Sequence, residues 1–234
     1  MIQSQPQTQR LLVVDDDQAI LRLVSDKFER AGFEVLTAGS GEAALELIAR
    51  RGLPHLAVVD LNMPVMDGFE FCRRVLGFSD LPIIILTAVD EEETVIQAID
   101  LFAEDYVTKP FSPRELVARV SRVLRRIGDF AYSLEPVIQV DERLAVDFVG
   151  QRTLVDGRPV DLSPTEAKIL YLLMRSAGRP VSSGYLLRRV WPLEEVFEDV
   201  LRVNVHRIRK KIGLNSAGLP YIVTEWGVGY RFVH

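Results

Sequence analysis

Four apolar segments in the first half of the chain each end in a side chain that carries an oxygen or nitrogen group. These side chains are Asp15 with Asp16, Asp60, Thr87 and Lys109. Short apolar runs closed by loop residues are typical of strands buried on both faces of a parallel sheet. The carboxyl ends of parallel strands meet at one edge, where open α/β sheets bind their ligands. We therefore expect three carboxylates, a hydroxyl and an ammonium group in one crevice.

This set of side chains suggests phosphoryl chemistry on a carboxylate. Three neighbouring carboxylates repel one another and raise each other's pKa, and a hard divalent cation such as Mg²⁺ relieves that repulsion by taking oxygen ligands. Asp60 would then attack a phosphoryl group, while Lys109 and the Thr87 hydroxyl balance the charge on the transferred oxygens. Taken singly, Asp60 and Lys109 have plainer interpretations as a solvated loop acid and a solvated lysine. Their joint placement at strand ends argues against both.

The elements that must position these residues follow a regular order. Strand-like segments alternate with segments of helical period, so a βα unit is repeated five times between residues 10 and 126. Gly32 and Gly52 stop the first two predicted helices, and Ser112 with Pro113 opens the last one. The predicted fold class is α/β, with a five-stranded, doubly wound parallel sheet.

The pattern changes after a short connector. Four short strand-like segments come first, with a hairpin signal at Asp156-Gly157, and three helices and a second hairpin follow. Ser163 and Glu166 form a predicted capping box that opens the first of these helices. The third predicted helix, over 199–212, is apolar on one side and basic on the other. Its apolar stripe consists of Leu201, Val205, Ile208 and Ile212. These elements predict an α+β winged helix-turn-helix, since a basic helix face neutralises phosphates and can enter the major groove. On charge alone, a solvated basic face is the alternative.

Residues 10–126 resemble the receiver domain of two-component response regulators, which has a flavodoxin-like fold. The matching motifs are Val13-Val14-Asp15-Asp16, Val59-Asp60-Leu61-Asn62-Met63-Pro64, Met66-Asp67-Gly68, Leu86-Thr87-Ala88 and Tyr106-Val107-Thr108-Lys109-Pro110-Phe111. The resemblance implies that Asp60 accepts phosphate from a sensor histidine kinase. It also implies a cis Lys109–Pro110 bond.

The same resemblance assigns roles around the phosphate acceptor. Mg²⁺ would be held by Asp15, Asp16, Asp60 and the backbone carbonyl of Asn62. Thr87 and Lys109 would hold the phosphoryl oxygens. Tyr106 would swing inward when Thr87 moves, although a tyrosine simply packed on an edge strand is the alternative interpretation.

Residues 137–234 resemble the DNA-binding domain of the OmpR/PhoB subfamily. The match is carried by Leu162-Ser163-Pro164-Thr165-Glu166, by Val203 to Ile212 and by Gly227-Val228-Gly229-Tyr230-Arg231-Phe232. By this resemblance Val203, His206 and Arg207 would face bases, while Arg209 and Lys210 would contact phosphates. The full predicted DNA-binding set is Arg202, Val203, His206, Arg207, Arg209, Lys210, Thr224 and Trp226. Trp226 stands where family members usually carry an arginine for the minor groove, so an arginine readout is not expected there.

The predicted domain plan is a disordered leader at 1–9, a receiver domain at 10–126, a linker at 127–136 and a winged-helix domain at 137–234. Residues 1–128 have a net charge of −6 and residues 129–234 a net charge of +1, so nucleic-acid binding in the second half depends on local clustering. The single Cys72 excludes an internal disulfide, and the first residues lack the features of a signal peptide. We expect a cytoplasmic protein with no membrane partner.

Further partners follow from the resemblance: double-stranded DNA with direct-repeat half-sites, and a homodimer when phosphorylated. The dimer face departs from the family pattern, because Val95 replaces a basic residue that would pair with Glu115 and Phe102 replaces a glycine. Asp105 with Arg119 remains available as an inter-subunit pair. The acidic loop at 194–198 could contact RNA polymerase, but a solvated loop without a partner is the favoured interpretation.

Three functions are compatible with these motifs. The leading one is a phosphorylation-dependent DNA-binding transcriptional regulator. The alternative is a phosphorylation-independent regulator with a vestigial receiver, against which the complete set of site residues argues. The third is an aspartyl-phosphate phosphatase, which would need a second acid two residues after the nucleophile. Position 62 is Asn, so we expect no enzymatic turnover.

Overall fold

The computed structural model describes residues 8–88, 103–127, 135–192 and 194–233. The chain forms two compact units, one built chiefly from residues up to 129 and the other chiefly from residues 130 to 234. The helix predicted at 90–101, most of the predicted linker and nearly all of the predicted leader lie outside the described residues. Within the described part of the chain, no helix is both long and apolar enough to cross a bilayer.

The first unit contains a parallel sheet with helices between its strands. The strands are β1 (Arg10–Val14), β2 (Glu34–Ala38), β3 (Leu56–Asp60), β4 (Ile83–Ala88) and β5 (Asp105–Lys109). The described helices are α1 (Gln18–Arg30), α2 (Gly41–Arg51), α3 (Gly68–Phe78) and α4 (Pro113–Ile127). All neighbouring strands are parallel in the order β2-β1-β3-β4-β5, which confirms the predicted five-stranded sheet.

The central strands are buried because they carry apolar side chains toward both faces of the sheet. Leu11–Val14, Leu56–Val59 and Ile83–Leu86 are fully buried. On one face, α1 and α4 pack their apolar stripes against β1, β3 and β4 in a single core cluster. Burial of this apolar area stabilises the sheet by about 25 cal/mol per Å² and fixes where its strands end.

Strand register gathers the residues that could do chemistry at the carboxyl edge. Val14 pairs with Val59, so Asp15 follows β1 beside the end of β3. Thr87 is paired with Thr108, one residue before Lys109. The predicted end of this strand at Thr87 is one residue too early, since β4 continues to Ala88. The Lys109–Pro110 peptide bond is cis, as the resemblance implied.

The second unit contains two small antiparallel sheets and three helices. The first sheet has the order β6 (Ile138–Gln139), β7 (Leu144–Asp147), β8 (Arg152–Val155) and β9 (Arg158–Asp161). The helices are α5 (Pro164–Arg175), α6 (Ser183–Val190) and α7 (Glu198–Ile212). The other sheet has the order β10 (Val181–Ser182), β12 (Gly229–Phe232) and β11 (Ile222–Glu225).

Local signals in the sequence explain several of these boundaries. Asp156 and Gly157 both have positive φ, of 50° and 75°, which is the backbone of a tight hairpin turn between β8 and β9. The predicted capping box at the start of α5 is confirmed: the Ser163 hydroxyl accepts from the Glu166 N–H, and the Glu166 carboxylate accepts from the Ser163 N–H. Strand β10 was not predicted, because two residues are too few to show a periodic pattern.

Candidate functional site

The acidic crevice at the carboxyl edge of the parallel sheet brings Asp15, Asp16 and Asp60 together. One carboxylate oxygen of each lies within 4.8 Å of the other two. Asp15 and Asp60 are buried and Asp16 is exposed. The Lys109 ammonium lies 2.8 Å from an Asp15 carboxylate oxygen and 3.0 Å from one of Asp60. Strand order thus places four of the predicted residues in one site.

Burial and ion pairing set the charge balance of this crevice. Burial raises the pKa of Asp15 above its ordinary value, and the hydrogen bonds from the Lys109 ammonium and the Asp17 N–H only partly offset this. Burial alone would lower the pKa of Lys109, but its hydrogen bonds to Asp15 and Asp60 outweigh burial and raise the pKa. The lysine therefore stays charged and neutralises part of the carboxylate charge.

The loop after β3 is shaped by close backbone contacts. A Cβ at Gly68 would lie 2.1 Å from the Asp60 carbonyl oxygen, so no residue with a side chain fits without moving the loop. Val65 in the same loop has φ of +70° and is 98 % exposed. Asn62, the predicted source of a carbonyl ligand, is an exposed residue of this loop.

The hydroxyl and aromatic side chains of the predicted switch lie on neighbouring strands. Thr87 is buried, near the end of β4, and Tyr106 on β5 is 43 % exposed. Tyr106 pairs in register with Ile85, two residues before Thr87. An outward tyrosine and a buried threonine are compatible with the predicted switch, and their movement stays a prediction.

The donor set of the crevice fits Mg²⁺. Carboxylate oxygens are the ligands this hard cation prefers, and it commonly uses one or two of them together with waters and phosphate oxygens. Two of the three carboxylates are withdrawn from bulk water, and Lys109 neutralises only part of their charge. Asp15, Asp16 and Asp60 would hold the ion, with the Asn62 carbonyl in the adjoining loop.

An ion-pair cluster joins β5 to α4. Asp105 accepts from Arg119 at 3.1 Å and from Arg122 at 2.8 Å. Glu115 accepts from Arg119 at 2.7 Å, one helical turn away. Glu115, which the sequence left without its family partner, thus pairs within its own helix, and Asp105 already pairs with Arg119 in the single chain. Arg122 was missed, although it lies three residues after Arg119 on the same helix face.

The third helix of the second unit, α7, has the two sides that the sequence predicted. Leu201, Val205, Ile208 and Ile212 are buried, which confirms the apolar stripe. The predicted base-facing and phosphate-facing residues form an exposed surface together with two residues of the β11–β12 hairpin, here called the wing. This surface consists of Arg202, Val203, His206, Arg207, Lys210, Thr224 and Trp226.

Two basic residues of α7 make contacts within the unit. Arg209 donates from Nε to the Ile222 carbonyl at 2.8 Å and from Nη2 to the Thr224 hydroxyl at 2.8 Å. The Lys211 ammonium donates to the Glu166 carboxylate at 2.6 Å. Sequence reasoning identified Glu166 only as a helix cap. The hint was that this carboxylate lies on a buried face, where a charged group needs a partner.

The sequence matches two family models, the response regulator receiver domain over residues 11–121 and the transcriptional regulatory protein C-terminal domain over residues 157–232. It is 36 % identical to the transcriptional regulatory protein KdpE of Mycobacterium tuberculosis, over 95 % of this chain and 98 % of that protein. It is 38 % identical to the phosphate regulon regulatory protein PhoB of Pseudomonas aeruginosa, over 95 % of this chain and 96 % of that protein.

The chain is a response regulator of the OmpR/PhoB family. Among solved structures, the Thermotoga maritima response regulator DrrB is 33 % identical, covers 97 % of this chain and 100 % of its own, and has a TM-score of 0.46. The response regulator combines a receiver domain with a DNA-binding domain, and its relatives are transcriptional regulators. The family assignment confirms the resemblance read from the two sets of motifs.

The wing of the response regulator differs from the family pattern at an exposed position. Trp226 is 93 % exposed, so it does not pack against its own unit. Internal packing is therefore not the role of this side chain. The exposed indole lies at the tip of the wing, where it is accessible to a binding partner.

Proposed function

We propose that this response regulator is switched by phosphorylation of Asp60 and that α7 and the wing then bind promoter DNA. The proposal is supported above all by the contact of Lys109 with both Asp15 and Asp60, at 2.8 and 3.0 Å, in a buried crevice. In a vestigial receiver, we would not expect an ammonium group and three carboxylates to lie together in one crevice.

In the phosphoryl transfer, an Asp60 carboxylate oxygen attacks the phosphorus of a phosphohistidine on a sensor histidine kinase. The new P–O bond forms as the P–N bond breaks, and the imidazole leaves with the electron pair of that bond. Lys109 and the Thr87 hydroxyl donate to the transferred oxygens, where charge accumulates. Mg²⁺, when bound by Asp15, Asp16, Asp60 and the Asn62 carbonyl, supplies charge neutralisation for the carboxylates and the phosphoryl group.

We propose that Thr87 and Tyr106 report the phosphorylated state. Movement of the Thr87 hydroxyl toward a phosphoryl oxygen vacates space near β4, and the exposed Tyr106 ring turns into it. The adjacent Asp105–Arg119–Arg122 cluster then becomes the surface of a phosphorylated homodimer. Sedimentation of the chain with and without a phosphate analogue tests this step, and a monomer in both states would contradict it.

At the DNA, we propose a division between residues that read sequence and residues that fix position. Val203, His206 and Arg207 face the bases, with the Val203 side chain suited to a thymine methyl group. Arg202, Lys210 and the Thr224 hydroxyl contact phosphates or sugars. Binding as a dimer to direct-repeat half-sites would place two such surfaces on one face of the duplex.

RNA polymerase is a further proposed partner. A groove beside exposed Glu194 and Glu195 has a mainly apolar lining, and Phe197 is 74 % exposed. The other lining residues are Leu187, Arg188, Trp191, Pro192 and Val196. An apolar groove with an acidic rim suits a basic, partly apolar protein segment. If Glu195→Lys keeps DNA affinity and still supports normal transcription in a reconstituted assay, this partner is excluded at that groove.

Phosphorylation is tested by incubating the full chain with acetyl phosphate and Mg²⁺ and following the intact mass. We expect a mass increase of one phosphoryl group in the wild type and none in Asp60→Asn. The control is Asp67→Asn, an exposed aspartate that caps α3 through the Glu70 N–H at 2.8 Å and should leave labelling unchanged. Labelling of Asp60→Asn would overturn the proposal. So would an equal stimulation of DNA binding by acetyl phosphate in the wild type and in Asp60→Asn.

DNA roles are tested on duplexes selected from genomic fragments by the wild-type chain. Arg207→Ala should weaken binding to the selected duplex more than to a random duplex, whereas Lys210→Ala should weaken both by a similar factor. Equal effects of the two substitutions would show that the assignment of base and phosphate contacts is wrong. Small phosphomonoesters should not be turned over, because Asn62 cannot act as the general acid of a phosphatase.

A further inference from the structure

Arg209 differs from its basic neighbours on α7 in what its side chain contacts. Its guanidinium donates to the Ile222 carbonyl and to the Thr224 hydroxyl, both on β11, at 2.8 Å each. The same group lies over the Tyr230 ring of β12, 5.7 Å from the ring centroid. Arg209 therefore touches both strands of the wing from the recognition helix.

The neighbouring residues Arg207 and Lys210 provide a direct comparison. Both are exposed, and neither makes a hydrogen bond or ion pair among the described residues. Their charges are free to meet phosphate or base. Arg209 is partly buried. Its planar guanidinium already donates to two acceptors on the wing and lies over an aromatic ring there.

The geometry points to Arg209 as a positioning residue that fixes the wing relative to the recognition helix, rather than as a phosphate contact. This inference rests on the proposed DNA-binding function. Thr224 pairs in register with Tyr230, so the guanidinium spans one rung of the β11–β12 ladder. Trp226 follows Thr224 by two residues, in the turn of the wing. A shift of β11 would therefore move the exposed indole away from the position in which it is proposed to contact the duplex.

A lysine at this position distinguishes the two roles. Its ammonium keeps the charge that a phosphate contact needs, but it cannot donate along two directions in a plane or stack as a guanidinium does. If Arg209 positions the wing, Arg209→Lys should lower affinity for the selected duplex about tenfold, as far as Arg209→Gln does. If Arg209 contacts phosphate, Arg209→Lys should bind nearly as the wild type does.

The salt dependence of binding gives a readout that a phosphate contact must change. Loss of one phosphate contact lowers the slope of log affinity against log salt by about 0.9. We expect Lys210→Gln, the matched control, to show that loss on a random-sequence duplex. Arg209→Lys and Arg209→Gln should keep the wild-type slope within about 0.3. A slope change in Arg209→Gln equal to that in Lys210→Gln would overturn the inference.

Coupling to the wing completes the test. Trp226→Ala should weaken binding to the selected duplex in the wild-type background and have little further effect in Arg209→Lys, because the indole is already misplaced. Independent, multiplicative effects would contradict the positioning role. Arg209→Gln serves if Arg209→Lys fails to fold, with the same coupling expected. If the wild-type chain shows no sequence-selective binding, the proposed function itself fails. If the wild type binds selectively and Arg209→Lys binds with the same affinity, only the positioning role of Arg209 fails.

Discussion

Lys211 on α7 forms an ion pair of 2.6 Å with Glu166, a carboxylate that is 2 % exposed in the first turn of α5. The same ammonium donates to the Asp161 carbonyl at 2.8 Å, and Glu166 also caps its own helix. One buried carboxylate thus ties together the end of β9, the start of α5 and the end of α7. These contacts help to set the orientation of α7 in its unit.

Glu166→Gln should lower the free energy of unfolding of this unit by about 2 kcal/mol, because it removes a charge-assisted hydrogen bond at a buried site. Urea unfolding of the full chain, followed by a probe in the second unit, measures the change. Lys210→Gln is the control, since an exposed neighbour should change stability by less than about 0.5 kcal/mol. Equal effects of the two substitutions would show that the Glu166 pair does not stabilise the unit.

The same pair predicts a pH dependence of stability. Burial opposes ionisation of Glu166, but the Lys211 ammonium and the Ser163 N–H outweigh it, so the pKa of Glu166 lies below its ordinary value. A lowered folded-state pKa gives stability that is present above the unfolded-state value, about 4.3, and is lost as pH falls through the folded-state value. The stability difference between wild type and Glu166→Gln should therefore be constant from neutral pH to about pH 5 and shrink below about pH 4. A difference that grows on acidification would have the wrong sign.

Lys109→Gln should destabilise the metal-free receiver domain by roughly 2 kcal/mol, since Asp15 and Asp60 lose their buried counter-charge. Added Mg²⁺ should recover more stability in this variant than in the wild type, because the cation then replaces the positive charge of the lost ammonium. Thermal unfolding with EDTA and with a Mg²⁺ titration measures both effects. Arg114→Gln, an exposed change on α4, should respond to Mg²⁺ as the wild type does; an equal response in Lys109→Gln would contradict the prediction.

Gly68→Ala and Gly77→Ala form a matched pair on α3. A Cβ at Gly68 meets the Asp60 carbonyl oxygen at 2.1 Å, whereas a Cβ at Gly77 has no neighbour within 4 Å. Gly68→Ala should destabilise the domain by about 3 kcal/mol and slow labelling by acetyl phosphate. Gly77→Ala should be neutral or stabilising by up to about 1 kcal/mol, since alanine favours the helix. A normal labelling rate in Gly68→Ala would show that the loop relaxes without cost to the site.

Val65→Asn should stabilise the receiver domain by about 1 kcal/mol. A β-branched residue with φ of +70° is strained, and asparagine tolerates this left-handed conformation better. The side chain is 98 % exposed, so little packing is lost. Val137→Asn is the control, because Val137 is exposed without positive φ and should change stability by less than about 0.5 kcal/mol. Melting temperatures of the two variants decide the matter.

Most of the fold followed from periodicity in the sequence. The runs Leu11–Val14 and Leu56–Val59 are apolar at every position, and buried parallel strands have that pattern. The end of α2 at Arg51 was predicted correctly, because Gly52 ends the helix with positive φ. Strand β10 escaped prediction because its formation depends on pairing with β12, which lies almost fifty residues later in the chain.

The candidate site was predictable where strand ends define it and unpredictable where side chains choose among partners. The convergence of Asp15, Asp60 and Lys109 follows from parallel register alone. Arg209 and Arg207 are the same residue type on one helix, and only the folded wing separates their contacts. The sequence placed both on a basic face but had no information about the distance to β11.

The order of strands in the sheet has a consequence for biosynthesis. β1 pairs with β3, and β5 is the last strand to join, beside β4. When the nascent chain has emerged only as far as β3, Asp15 and Asp60 can come together without Lys109, which lies 94 residues after Asp15. At that stage the two carboxylates lack their ammonium counter-charge. Translation thus delivers the neutralising ammonium last, so the charge balance of the crevice is completed only after β5 has been made.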